Sequence, residues 1–288
     1  MTHTRFLAIA LPIIAIPALI VLVLPAGVWT AYVDVVEPLA LLVGCGLALW
    51  TSFSYRKQLK AAFIFLSAFL FVYMLAIILF MSLEHPILLP YLRPNLEITQ
   101  ILLIVQIIQF INYFILILFC INLLKVMDIR QLNRNGWFLF ALTIVFSIFL
   151  AIYPELSLVK GISGAGLPAV LYLIIRLLDA ALIIVLLPVC WLYIQYLKSR
   201  QRQSLTFTVI IFGIVFVTLF DYLFQAILAI FPQLLTGGSL LRATIPEMIF
   251  IYGYLIIAVG LYAHRRQDSW GYNTVDRTMS GKVKVNIE

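Results

Sequence analysis

The chain has 288 residues, of which 64% are hydrophobic and 11% charged, and a formal net charge of +7. Soluble domains run near about 45–50% apolar and about 25% charged, so a water-soluble enzyme, a nucleic-acid-binding domain and a disordered scaffold are excluded. A mean hydropathy of +1.12 describes a polytopic membrane protein whose loops are too short to carry a separate catalytic domain.

A helix needs roughly 20 apolar residues to cross about 30 Å of hydrocarbon. The sequence predicts eight such spans, near 6–25, 35–54, 61–82, 98–122, 137–153, 168–196, 205–230 and 246–263. The runs are continuous, whereas a spanning β-barrel alternates residue by residue, so the predicted class is all-α. The first span follows Met1–Arg5. Its apolar stretch, Phe6 to Leu24, exceeds the roughly 7–15 residues of a signal peptide's core and no A-x-A site follows, so it reads as a retained helix. The fifth span is the shortest. In the sixth, Pro188 marks a kink. Tyr153-Pro154 and Phe231-Pro232 read as helix exits, the proline stopping the helix and the aromatic ring marking the interface. Residues 1–264 thus form one transmembrane bundle, and 265–288 a short polar cytoplasmic tail.

Orientation follows from the lysines and arginines. Arg5; Arg56, Lys57, Lys60; Lys125, Arg130, Arg134; Lys198, Arg200, Arg202; and Arg265, Arg266, Arg277, Lys282, Lys284 fall on alternate loops that share one side. The other side has Arg93, Lys160 and Arg242 beside the acids Asp34, Glu37, Glu84, Glu97, Glu155 and Glu247. The positive-inside rule places both termini in the cytoplasm of a cell membrane, and the alternation itself argues for eight spans. Trp50, Trp137 and Trp191 lie near the inner boundary, and Trp29, Tyr32 and Tyr153 near the outer one, as interfacial anchors. Membrane lipid is the implied partner. Nucleic acid is not.

Ionisable side chains inside the bilayer cost at least about 2.5–3.5 kcal/mol each, need partners, and point to function. Arg176 and Asp179 in the sixth span and Asp221 in the seventh lie well within hydrocarbon. Arg176 and Asp179 share a helix face, and Asp179 and Asp221 stand at matching depths on antiparallel neighbours. An Arg176–Asp221 pair with Asp179 contributing is the expected arrangement. Thr218, Asp221, Tyr222 and Gln225 follow one helical stripe, and Gln106, Gln109 and Tyr113 another, with Asn112 beside them. With Glu247, Tyr252 and Tyr254 of the eighth span, these residues would line a polar cavity open to the outside. Arg176, Asp179, Asp221, Tyr222, Gln225, Gln106, Gln109 and Asn112 are therefore the candidate ligand-binding residues. Polar residues also glue transmembrane helices together, and that structural reading stands beside the functional one.

Other chemistries lack their residues. Cys45, Cys120 and Cys190 sit in apolar runs without CxxC spacing, which reads as buried structural thiols. His3, His85 and His264 all fall outside the predicted hydrocarbon, which leaves no intramembrane haem or histidine metal site. Gly161-Ile162-Ser163-Gly164 and Ala263-His264 match rhomboid-protease motifs, but they fall at opposite boundaries of the membrane. No cofactor and no enzymatic activity are expected.

A shift of 142 residues lays spans two to four on spans six to eight without gaps, with Glu37 on Asp179 and Arg56–Lys60 on Lys198–Arg202. Residue identity is close to nil, so a parallel four-plus-four duplication and unrelated hairpins both remain open. Asp179, a basic inner turn and then Asp221-Tyr222 resemble the multi-pass input modules that precede histidine kinase or diguanylate cyclase domains in prokaryotic sensors. The likeness covers roughly residues 170–230. The chain departs from that pattern in having no output domain, so the resemblance implies a separate signalling partner. The leading expectation is a non-enzymatic bundle that binds an unknown small ligand or senses membrane state. A small secondary transporter and a structural subunit of a larger membrane complex are the alternatives.

Overall fold

The computed structural model describes residues 12–13, 15–17, 19–20, 26–84, 98–126, 132–159, 167–198, 204–230 and 240–265. Among the described residues all regular structure is helical. The long elements are α1 (Ala26–Ser52), α2 (Lys57–Glu84), α3 (Ile98–Val126), α4 (Arg134–Val159), α5 (Leu167–Lys198), α6 (Ser204–Ile230) and α7 (Leu240–Arg265). They follow the second to eighth predicted spans, and the described residues of the first are also helical. Asp34–Ser52, Lys57–Leu79, Leu103–Val126, Leu177–Gln195 and Met248–Arg265 are long and apolar enough to cross a membrane. This is the pattern of a multi-pass helical membrane protein.

Three boundaries differ from the sequence reading. The α1 helix starts at Ala26 rather than near 35, because Gly27, Thr30 and Asp34 interrupt the apolar run without interrupting the backbone ladder. Helix α4 continues through Tyr153-Pro154 to Val159. A proline removes one donor, and here the helix resumes beyond it, so the exit expected there lies later. Helix α7 runs to Arg265, which brings His264 inside the helix. Phe231-Pro232, the other expected exit, lies outside the described residues, which follow α6 to Ile230. The glycine-bearing outer loops and the polar tail fall outside the described residues.

Packing closes α1, α2, α3, α5, α6 and α7 into a ring in that order, with α7 returning to α1. Helix α4 stands outside the ring, against α5 and the edge of α6. One apolar core, drawn from all six ring helices, fills the interior. On α1 the buried stripe is Glu37, Ala40, Leu41, Ala48 and Thr51, while Val35, Leu39, Leu42, Val43 and Leu49 are exposed. The buried positions recur at three- and four-residue spacing, which turns one face inward and leaves an equally apolar face for lipid.

Glycines set the closest approach. A Cβ added to Gly253 on α7 would lie 2.1 Å from Val217 Cγ2 on α6, and one on Gly213 would lie 3.0 Å from the Gly253 carbonyl oxygen. With lipid on the outside there is little hydrophobic drive between helices, and close backbone packing replaces it. Between α1 and α2, the Ser67 hydroxyl donates to the Cys45 carbonyl at 3.0 Å.

Candidate functional site

The ends that carry the basic loops meet on one face of the bundle. Tyr55, in the turn between α1 and α2, hydrogen-bonds His264 Nε2 at the end of α7. Their rings stack at 5.6 Å, and Phe207 at the start of α6 meets His264 edge-on at 4.4 Å. Phe207 in turn stacks on Tyr193 of α5 at 5.5 Å. Arg265 lies over the Trp50 ring at 4.9 Å and donates to Ser54 Oγ. Helix α4 is tied to the same level. Asn133 Oδ1 accepts from Gly136 N at 2.8 Å, capping α4, and from Trp191 Nε1 of α5 at 3.1 Å. Sequence reasoning set His264 outside the hydrocarbon and did not connect it with Tyr55. No local pattern announces a contact between residues so far apart in the chain.

The opposite half of the ring holds a buried polar layer. The stripes of α1, α3, α5 and α6 each carry one buried polar residue there: Glu37, Asn112, Asp179 and Thr218. Asp179 is 1% exposed, and its Oδ1 accepts the hydroxyl proton of Tyr113 on α3. This bond joins α3 to α5 across the segment of chain that contains α4. Asn112, beside Tyr113, is 3% exposed, and its Oδ1 has no hydrogen-bond partner among the described residues. Tyr73 of α2 and Tyr254 of α7, helices separated by α1 in the ring, meet at 5.6 Å through the interior.

The sequence-derived site residues divide as follows. Asp179 and Asn112 are buried in this layer, and Tyr113 binds Asp179. Gln106 and Gln109 are half-buried on the same helix as Asn112. Arg176 lies on α5 and Asp221, Tyr222 and Gln225 on α6, but their side chains fall outside the described residues, as does the expected Arg176–Asp221 pair. The backbone register can still be followed. Tyr193 stacks on Phe207 at one end of the α5–α6 pair, and Leu219 packs beside Ala180 and Ile183 at the other, which sets positions 179 and 221 at one level. Glu37, read in the sequence as an outer-side acid that coincides with Asp179 under the 142-residue shift, is buried at 6% exposure and belongs to the layer.

The layer presents hydrogen-bonding groups. Asp179 presents a carboxylate already oriented by a neutral donor, and Asn112 presents an acceptor that needs a donor from elsewhere. Among the described residues no group of histidine, cysteine and acidic side chains is placed to hold a metal ion. Compared with protein-family models, with characterised proteins and with solved structures, the chain finds no match.

Proposed function

We propose that the chain is a non-enzymatic, eight-span protein of the cell membrane, with both termini in the cytoplasm, that binds a small ligand in its polar layer. The observation that carries the reading is the pairing of a satisfied and an unsatisfied group on neighbouring residues. Tyr113 closes on Asp179, while Asn112 Oδ1 is buried with no donor to it among the described residues. A buried acceptor without a donor costs about 1–3 kcal/mol, and a ligand bearing a hydrogen-bond donor would recover that cost. Helices α3, α5, α6 and α7, whose residues would form the cavity, are consecutive in the ring. The gathering of the basic loops at the other end supports an outward-facing site. Sensing would follow from two packings of α5 and α6 that the ligand biases, with a separate partner reading the difference, as the likeness to sensor input modules implies.

The test is thermal stabilisation of the purified full chain by a panel of amino acids, organic amines, nucleosides and sugars. We expect at least one class to raise the melting temperature, with the effect lost in Asn112→Leu and Asp179→Asn and retained in lipid-facing Phe114→Leu. A panel without effect, or stabilisation indifferent to both layer variants, contradicts the reading.

One further observation favours a secondary transporter. The ring order sets α1, α2, α3 against α5, α6, α7, the order a parallel duplication would produce. Glu37 and Asp179, which coincide under the 142-residue shift, are both buried. Sites at repeat interfaces are common in transporters. Uptake of a layer-binding solute into proteoliposomes, lost in Asp179→Asn, would distinguish transport from binding alone.

A further inference from the structure

We infer that the start of α2, framed by Trp50, Ser54 and Arg265, is a binding site for the headgroup of an anionic phospholipid. The inference rests on the membrane reading, since it needs this end of the bundle to lie at the headgroup level.

The site is built from three segments that the fold brings together. Helix α1 ends in exposed aromatic residues, with Trp50 at 42% and Phe53 at 69% exposure. The turn that follows carries Arg56 and Lys57, both exposed, and Lys60 stands exposed in the first turn of α2. Lys57 has a φ of 51°, an uncommon backbone for a residue with a side chain. That turn sets the three cations within eight residues of the end of α1 at Ser52. Helix α7 then supplies Arg265, held in place by Trp50 and by Ser54.

In the described segments that build the site, charge has one sign. No acidic residue occurs between Glu37 and Glu84, nor from Met248 to Arg265. The first turn of α2 therefore has no acid to offset its unpaired N–H groups and its positive dipole end. A helix start, three exposed cations and a fixed guanidinium together favour a phosphate, while Trp50 and Phe53 offer the apolar surface that a lipid's glycerol and acyl chains require. A free phosphate would leave those rings uncovered, so the fit is to a lipid.

Arg134 provides the control, because it is an exposed cation at the same end of the bundle but on α4, outside the ring. The full chain is reconstituted in phosphatidylcholine nanodiscs and, separately, titrated in micelles with phosphatidylglycerol and phosphatidylcholine while native mass spectrometry counts retained lipid. We expect phosphatidylglycerol to be retained in preference to phosphatidylcholine. Arg56→Gln and Lys60→Gln should each weaken that retention about fivefold, the effect of one surface cation, and Arg134→Gln should leave it unchanged. Equal retention of the two lipids overturns the inference, as does an equal loss in Arg134→Gln, which would mean diffuse attraction without a site. A chain that enters phosphatidylcholine nanodiscs but shows no lipid preference leaves the membrane reading standing and removes only this site. Failure to enter the nanodiscs would remove both.

Discussion

Asp179 is held by a hydroxyl from a different helix, and the value of that contact can be measured. Hydrogen bonds between membrane helices are worth about 0.6–2 kcal/mol. Tyr113→Phe should therefore lower unfolding stability by about that amount. Asp179→Asn should cost less, because an amide oxygen still accepts. In a double-mutant cycle the pair should couple by at least about 0.5 kcal/mol; additivity would show that the two side chains do not meet. Asn112 behaves in the opposite way. Its Oδ1 is buried without a partner among the described residues, so Asn112→Leu removes a cost and should leave stability unchanged or raise it by about 1 kcal/mol. A loss of folded protein in denaturant titrations of Asn112→Leu would mean that the amide is structural glue. At this scale the sequence was partly legible. Charge and polarity inside apolar runs identified Asp179 and Asn112, because such residues are costly in lipid and few. The link from Tyr55 to His264 was not legible, since both residues sit where a boundary residue looks unremarkable and only the fold brings them together.

Helices were the most legible level, because a span needs an apolar length that hydropathy reports directly. Their edges were less so. Thr30 and Asp34 lower hydropathy without disturbing the backbone of α1, and Pro154 signals an end that α4 passes through. Faces were not legible. On α2, Leu66 and Leu70 are buried while Ile64 and Phe71 are exposed, and nothing in their chemistry separates them, because lipid and protein core ask for the same side chains. Small residues are the exception. Gly253 sits against Val217 so closely that Gly253→Ala should cost about 1–3 kcal/mol through overpacking. Val217→Ala, placed in the same chain, should recover most of that loss. Gly44→Ala should cost less, since its nearest neighbour is the movable Leu70 Cδ1 at 3.1 Å. Thermal unfolding of the three purified variants checks the order, and a Gly253→Ala protein as stable as the parent would contradict the α6–α7 packing.

At the scale of the whole molecule, the α1–α2 turn and the ends or starts of α4, α5, α6 and α7 meet on one face, and the alternation of charge along the sequence is the ground for proposing that this face is cytoplasmic. Hydropathy alone could not supply the order of helices around the ring, because it records how deep a residue lies and says nothing of its neighbour. The resulting molecule has two ends with different chemistry. One is aromatic, cationic and tied together by His264, and the other holds the carboxyl groups and the amide of the polar layer. The central claim is that water reaches that layer from the side opposite the basic ends. Single cysteines at Gln106 and Gln109, compared with lipid-facing Ile107, Ile111 and Phe114, test it directly. Buried Cys120 and Cys190 serve as an unreactive background, and Cys45 is replaced by alanine. In sealed, oriented membranes a charged, impermeant thiol reagent added outside should label positions 106 and 109 and spare 107, 111 and 114. Labelling from the basic side, or equal protection of all five positions, would contradict the account.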